Sequence, residues 1–260
     1  MSDYDRNVAT PRYGSTVTRT EAAIDQGLRS YMLSVYNYMA FGLAITGAAA
    51  LGIYMLAVSD VATPYAIGRG IYLTQFGYTL FVSPLKWVVM LAPLAAVFFL
   101  SFRVDRMSVP AAQGVFWLYA ALVGISLSTI FLVYTHDSIV RVFFITAASF
   151  GALSLYGYTT SRSLSGMGSF LMMGLFGIII AMLVNIFLAS TMLQFIISVV
   201  GVLVFAGLTA YDTQRIKEMY FAGDDDVVAG RKAIMGALTL YLDFINLFMM
   251  LLQLFGNRDE

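Results

Sequence analysis

The chain contains no cysteine, which excludes disulfides, thiolate metal sites and a cysteine nucleophile. Its single histidine, His136, has no second imidazole with which to build a metal-catalytic centre. Charge is scarce: 12% of residues are charged, about half the share in a typical soluble domain. Fifteen basic residues balance fifteen acidic ones, so nothing marks a nucleic-acid partner. The first thirty residues are polar, with Arg6, Arg12, Arg19 and Arg29, and lack the apolar core of a signal peptide.

What is abundant is hydrophobicity, at 60% of 260 residues. Length alone allows one or two soluble domains, but several apolar runs approach the roughly 20 residues that span a bilayer as helix. The expected class is an all-α membrane protein with seven spans, about Met32–Ala57, Lys86–Phe102, Ala111–Tyr134, Ile139–Thr160, Gly168–Ala189, Leu193–Asp212 and Ala233–Phe255. Residues 1–30 read as a polar, flexible tail, 31–256 as the transmembrane domain and 257–260 as a short polar terminus. The second span is the shortest and contains Pro93, which predicts a kink. Gly42, Gly47, Gly52, Gly174, Gly177, Gly201 and Gly207 fall inside the runs and suit close helix packing. The longest loops are Val58–Leu85 and Thr213–Lys232. The second holds Asp224, Asp225 and Asp226, which lack EF-hand spacing and read as a solvated turn.

With the N-terminus inside, eleven basic residues fall on the inner side: Arg6, Arg12, Arg19, Arg29, Arg103, Arg106, Arg162, Arg215, Lys217, Arg231 and Lys232. Four, Arg69, Lys86, Arg141 and Arg258, fall outside. The excess predicts a cytoplasmic N-terminus. Seven full spans would then leave the C-terminus outside, and a re-entrant seventh segment would bring it back.

Two carboxylates stand out against this background. Asp212 ends the sixth run and Asp243 lies inside the seventh; ionisable groups at membrane depth are costly and point to function. Both helices are entered from the same side, with Asp212 about 10 Å from the end of its helix and Asp243 about 15 Å into its own, so their depths match within about one turn and permit contact. Two carboxylates that close in a low dielectric do not both ionise readily and titrate as a unit. Sharing a proton, they latch two helices. Doubly ionised, they repel each other or hold a hard cation such as Ca²⁺. The structural alternative is an aspartate that caps a helix or pairs with a basic residue, for example Asp212 with Arg215. On the seventh helix Gly236, Thr239, Asp243, Asn246, Met250 and Gln253 recur at intervals of three or four, placing Thr239, Asn246 and Gln253 on one polar seam with Asp243. Asn185 and Gln194 add polar groups from the fifth helix and the following turn, and each reads as a structural interhelical hydrogen-bonding residue.

The run Gly201-Val-Leu-Val-Phe-Ala-Gly-Leu-Thr-Ala-Tyr-Asp-Thr-Gln-Arg-Ile216, followed by Gly236-Ala-Leu-Thr-Leu-Tyr-Leu-Asp-Phe-Ile-Asn-Leu-Phe248, resembles the Bax inhibitor-1, or transmembrane Bax inhibitor motif, family. Ser83-Pro-Leu-Lys86, Leu91-Ala-Pro93 and Ser154-Leu-Tyr-Gly-Tyr-Thr-Thr160 add to the likeness, which extends from about Arg29 to Arg258. The loops and the Phe-Gly-Asn-Arg ending resemble the bacterial inner-membrane branch. The resemblance implies seven helices with the last at the centre of the other six. It also implies a pH-sensitive Ca²⁺ leak, with H⁺ as the gating ion and Asp212 and Asp243 as a di-aspartyl pH sensor near the cytoplasmic mouth. Some members place an arginine, and some an acidic residue, within the second helix; here Trp87–Phe102 has neither, and Arg103 lies at its end.

Two alternatives stay open: a regulatory protein that binds a membrane protease or other membrane complex, and a proton-coupled transporter. An enzyme is not expected. Intramembrane aspartyl proteases pair a Tyr-Asp motif with Gly-x-Gly-Asp, whereas this chain has Leu240-Tyr241-Leu242-Asp243. No cofactor is expected, and the lipid bilayer is the obligatory partner.

Overall fold

The computed structural model describes residues 14–66 and 70–258, with side chains from residue 24 onward. Its frame is eight helices: α1 Gly14–Ala57, α2 Gln75–Phe81, α3 Leu85–Arg103, α4 Val109–Leu127, α5 His136–Thr159, α6 Ser165–Leu188, α7 Thr191–Glu218 and α8 Asp226–Phe255. Short 3₁₀ turns, Val104–Arg106 and Ser128–Leu132, extend α3 and α4. All but α2 belong to the seven helical segments that are long and apolar enough to cross a membrane.

Capping chemistry sets several starts. Ser108, Ser190 and Asp225 accept hydrogen bonds from the backbone N–H three residues on, opening α4, α7 and α8; each satisfies one of the orphan donors of a first turn. Because Asp225 caps α8, that helix begins seven residues before the expected Ala233. The aspartate run is divided among tasks: Asp225 caps, Asp226 enters the first turn, and Asp224 pairs with Lys232 at 2.6 Å. The expected Thr213–Lys232 loop therefore shrinks to residues 219–225.

Two other expectations shift. Helix α1 starts at Gly14, inside the segment read as a flexible tail, and residues 1–13 lie outside the described residues. The first long loop carries structure: β1 Val58–Ser59 pairs antiparallel with β2 Tyr72–Leu73, and α2 follows, capped by Thr74. Gly77 permits this packing, since a Cβ there would collide with the Ala57 carbonyl. Gly68 and Arg69 lie outside the described residues, as do Asp259 and Glu260. Helix α3 runs through Pro93 without interruption.

Helix α8 is the core element. Two thirds of its apolar window is buried, against 6% for α3 and 11% for α6. It packs against α1, α4, α5 and α7, while α3 leans on α4 and α6 on α7. Four helices thus enclose α8 directly, α3 reaches it through its 3₁₀ extension, and α6 lies in an outer layer. Trp87, Leu91 and Phe102 on α3, and Phe170, Phe176 and Phe187 on α6, are exposed. Apolar surface this extensive is what a helix presents to lipid.

The seventh span crosses the bundle and does not re-enter. Near its start, Arg231 Nε donates to the Met107 carbonyl at 2.7 Å, just before α4. Beyond its end, Thr135 N–H donates to the Asn257 carbonyl at 3.0 Å and Asn257 N–H donates to Ser138 Oγ at 2.8 Å, just after α4 and its 3₁₀ extension. A bridge between Tyr134 and Arg258 completes this tie. Helix α8 therefore runs the full length of α4 and delivers residues 256–258 to the opposite end.

Candidate functional site

Asp212 lies six residues before the end of α7, about 9 Å along the axis, and Asp243 seventeen residues into α8, about 25 Å. They nevertheless meet, because the early start of α8 carries its first turns past the end of α7. Gly236 brings the helices together above the pair: a Cβ there would stand 2.9 Å from Ile216 Cγ2. The two carboxyl groups lie within hydrogen-bonding reach of each other. Asp212 is 8% exposed and Asp243 5%. A bond between two carboxyl groups requires a proton on one of them. Oδ2 of Asp243 has no hydrogen-bond partner among the described residues, and the one ion pair found there is Lys232–Asp224. Arg215, on the exposed face of α7, acts on Asp212 through its charge without forming a salt bridge.

The residues flanking Asp212 reach three further elements. The Tyr211 ring lies where a Cβ on Gly168 of α6 would clash. Thr213 donates to the Thr209 carbonyl at 2.7 Å and contacts Ser154 Oγ of α5 at 2.9 Å; Ser154 in turn contacts the Tyr36 hydroxyl of α1 at 2.7 Å. Gln214 accepts from Leu164 N–H at 2.7 Å and donates to the Arg162 carbonyl at 2.9 Å, fastening the α5–α6 connection. The sequence reading missed Tyr36, Ser154, Thr213 and Gln214 as a set. Their signal is polar groups in apolar runs, but nothing in the spacing shows that they converge.

The seam on α8 divides. Thr239 donates to the Met235 carbonyl at 3.1 Å and Asn246 to the Leu242 carbonyl at 2.8 Å, so both turn back on their own helix. Gln253 joins a separate cluster about 15 Å farther along α8, accepting from Gln194 Nε2 at 2.5 Å and Ser198 Oγ at 2.8 Å. Asn185 donates to Gln194 Oε1 at 3.1 Å in that cluster, as expected of an interhelical bond. Met250 packs against Gly201.

His136 opens α5 between the rings of Tyr54 and Phe131. No group of three or more His, Asp or Glu side chains poised for a metal gathers among the described residues. Arg103 is exposed at the end of α3.

The family described as "inhibitor of apoptosis-promoting Bax1" matches residues 28–260. An uncharacterized protein of Rickettsia prowazekii is 47% identical over the whole of both chains, and one of Caulobacter vibrioides 42% over the whole of both. Inner membrane protein YbhL of Escherichia coli is 45% identical over 89% of this chain and 93% of its own. With its seven apolar helices and a family match that takes in both aspartates, the chain belongs to the Bax inhibitor-1 family of membrane proteins.

Proposed function

We propose that the protein is a pH-sensitive cation leak, with Ca²⁺ as the ion carried, gated by Asp212 and Asp243. The observation that carries this reading is the meeting of two buried carboxyl groups on adjacent membrane helices, without a basic side chain bonded to either among the described residues. The sign follows from proton counting. The latched state holds a proton between the two groups and the doubly ionised state does not, so raising the pH favours parting. Two carboxylates offer at most four of the six to eight oxygens that Ca²⁺ takes, which suits an ion in transit better than a resident one. The choice of Ca²⁺ rests on the family resemblance. The name of the Escherichia coli relative, inner membrane protein YbhL, supports an inner-membrane location, and the basic excess at one end of the bundle supports a cytoplasmic N-terminus.

The test is Ca²⁺ flux through the purified protein in liposomes between about pH 5 and pH 8, beside Asp212→Asn and Asp243→Asn. Flux should rise with pH in the wild type. In either variant the amide supplies the bridging N–H at every pH, so flux should be low and flat. An unchanged pH profile in both variants would remove the aspartates from the gate. Absence of flux above empty liposomes would remove the leak itself and leave regulation of another membrane protein as the better reading.

A further inference from the structure

Helices α1 and α5 flank a cleft of about 610 Å³, lined by Arg29, Tyr36 and Met39 on one wall and Phe150, Ser154 and Tyr158 on the other. We infer that this cleft binds an anionic phospholipid, with the phosphate at Arg29 and one acyl chain lying along the groove. Neither aspartate of the gate lines it, and the inference does not depend on the leak reading.

The floor and walls call for an apolar occupant. The Tyr36 and Ser154 hydroxyls meet at 2.7 Å and Ser154 also meets Thr213, so the floor's polar atoms satisfy one another. The side walls are hydrocarbon and aromatic, and the rim residues Leu33 and Leu155 are exposed. The volume falls within the roughly 300–1,000 Å³ of small-molecule sites.

The mouth calls for an anion. Arg29 is exposed and forms no ion pair among the described residues. Tyr158 lies next to the last residue of α5, and Lys217 Nζ donates to its carbonyl at 2.8 Å while standing 5.4 Å from its ring centre. Arg29 thus marks the end of the cleft where a headgroup would sit, Lys217 stands behind Tyr158 outside the lining, and no acidic side chain lines the cleft. Basic side chains at this level of a membrane helix attract anionic headgroups and keep their stems in the apolar layer. The contrast lies at the other end of the bundle: a second cleft of about 470 Å³, walled by Leu43, Phe143 and Phe248, has no lysine or arginine in its lining.

The experiment uses the full-length protein in phosphatidylcholine nanodiscs containing a small fraction of phosphatidylglycerol with a photoactivatable acyl chain. Crosslinked peptides are then mapped by mass spectrometry. The α1 and α5 peptides bearing Leu33 and Leu155 should label several-fold more than the lipid-facing peptides of α3 and α6. Unlabelled phosphatidylglycerol should compete, and extra phosphatidylcholine should not. Arg29→Gln should cut this labelling at least fivefold. Gly151→Leu should abolish it, because Gly151 lines the cleft and a Cβ there meets no atom within 4 Å. Uniform labelling of α1, α3, α5 and α6 would overturn the site as ordinary bilayer contact, and labelling indifferent to headgroup or to Arg29→Gln would overturn the anionic assignment. The competition arm on the wild type decides the matter even where a variant folds poorly.

Discussion

The phenol of Tyr241 meets the Thr46 hydroxyl at 2.6 Å, joining α8 to α1. Thr46 is also 2.9 Å from the Ala120 carbonyl of α4 and 3.0 Å from the Gly42 carbonyl of its own helix. A carbonyl accepts only, so the threonine proton goes to a carbonyl and Tyr241 is the donor to Thr46. Three helices are tied through one hydroxyl, two residues along α8 from Asp243.

Tyr241→Phe removes that donor while keeping the ring against Phe116 and Tyr119. The expected cost is about 1 kcal/mol. Thr46→Val should cost more, because it leaves the fully buried Tyr241 hydroxyl unpaired. Thermal unfolding of the purified proteins checks the order; equal melting temperatures for both variants and the wild type would refute the tie.

Gln214 holds the α5–α6 connection with its donor and its acceptor. Gln214→Leu should lose both bonds and cost roughly 1–3 kcal/mol. Gln214→Glu keeps the acceptor for Leu164 N–H and should fall between. Hydrogen exchange at the Leu164 amide reads this directly, with faster exchange expected in the leucine variant and near-normal exchange in the glutamate variant.

Two glycines on α5 make opposite predictions. A Cβ at Gly157 would run into the Ala210 carbonyl of α7, whereas one at Gly151 meets open space. Gly157→Ala should force α5 and α7 apart and destabilise by about 1–3 kcal/mol. Gly151→Ala should stay within about 1 kcal/mol of the wild type. Comparable melting temperatures for the two variants would contradict this packing.

The aspartate pair gives a non-additive prediction. If Asp212 and Asp243 act as one titrating unit, Asp212→Asn/Asp243→Asn should alter the pH profile of flux no further than either single change does. Summed single effects in the double variant would show two independent groups.

That Asp212 and Asp243 could meet was legible in the sequence, because two helices joined by a short connection are entered from the same end, but their depths were not, since α8 starts seven residues early. The start of α8 was not legible: Asp226–Lys232 is a charged stretch that reads as loop, and the Asp225 cap, the Asp224–Lys232 pair and the Arg231–Met107 bond hold it in the helix. The hairpin after α1 escaped notice because two-residue strands are too short to show alternation. The polar seam failed as a guide for a different reason. Residues at three- and four-residue intervals share a face, yet Gln253 sits about 15 Å from Asp243. Thr239 and Asn246 satisfy themselves on their own carbonyls, an option open to any such side chain in an apolar helix. Of the glycines in the runs, Gly42, Gly174, Gly201 and Gly207 serve close packing, while Gly47, Gly52 and Gly177 face open space.

Both ends of α8 are moored, by Arg231 to Met107 at one side of the bundle and by Asn257 to Thr135 and Ser138 at the other. A helix held at both ends acts as an axle and takes up little travel itself. Under the proposed gating, separation of the carboxyl groups would fall to α7, whose last turns are fastened to α5 and to the α5–α6 connection through Thr213, Gln214 and Lys217. Because α5 is itself pinned to the far end of α8 through Ser138 and Asn257, the proposed opening would be a pivot of α5 and α7 about that pin rather than a displacement of α8.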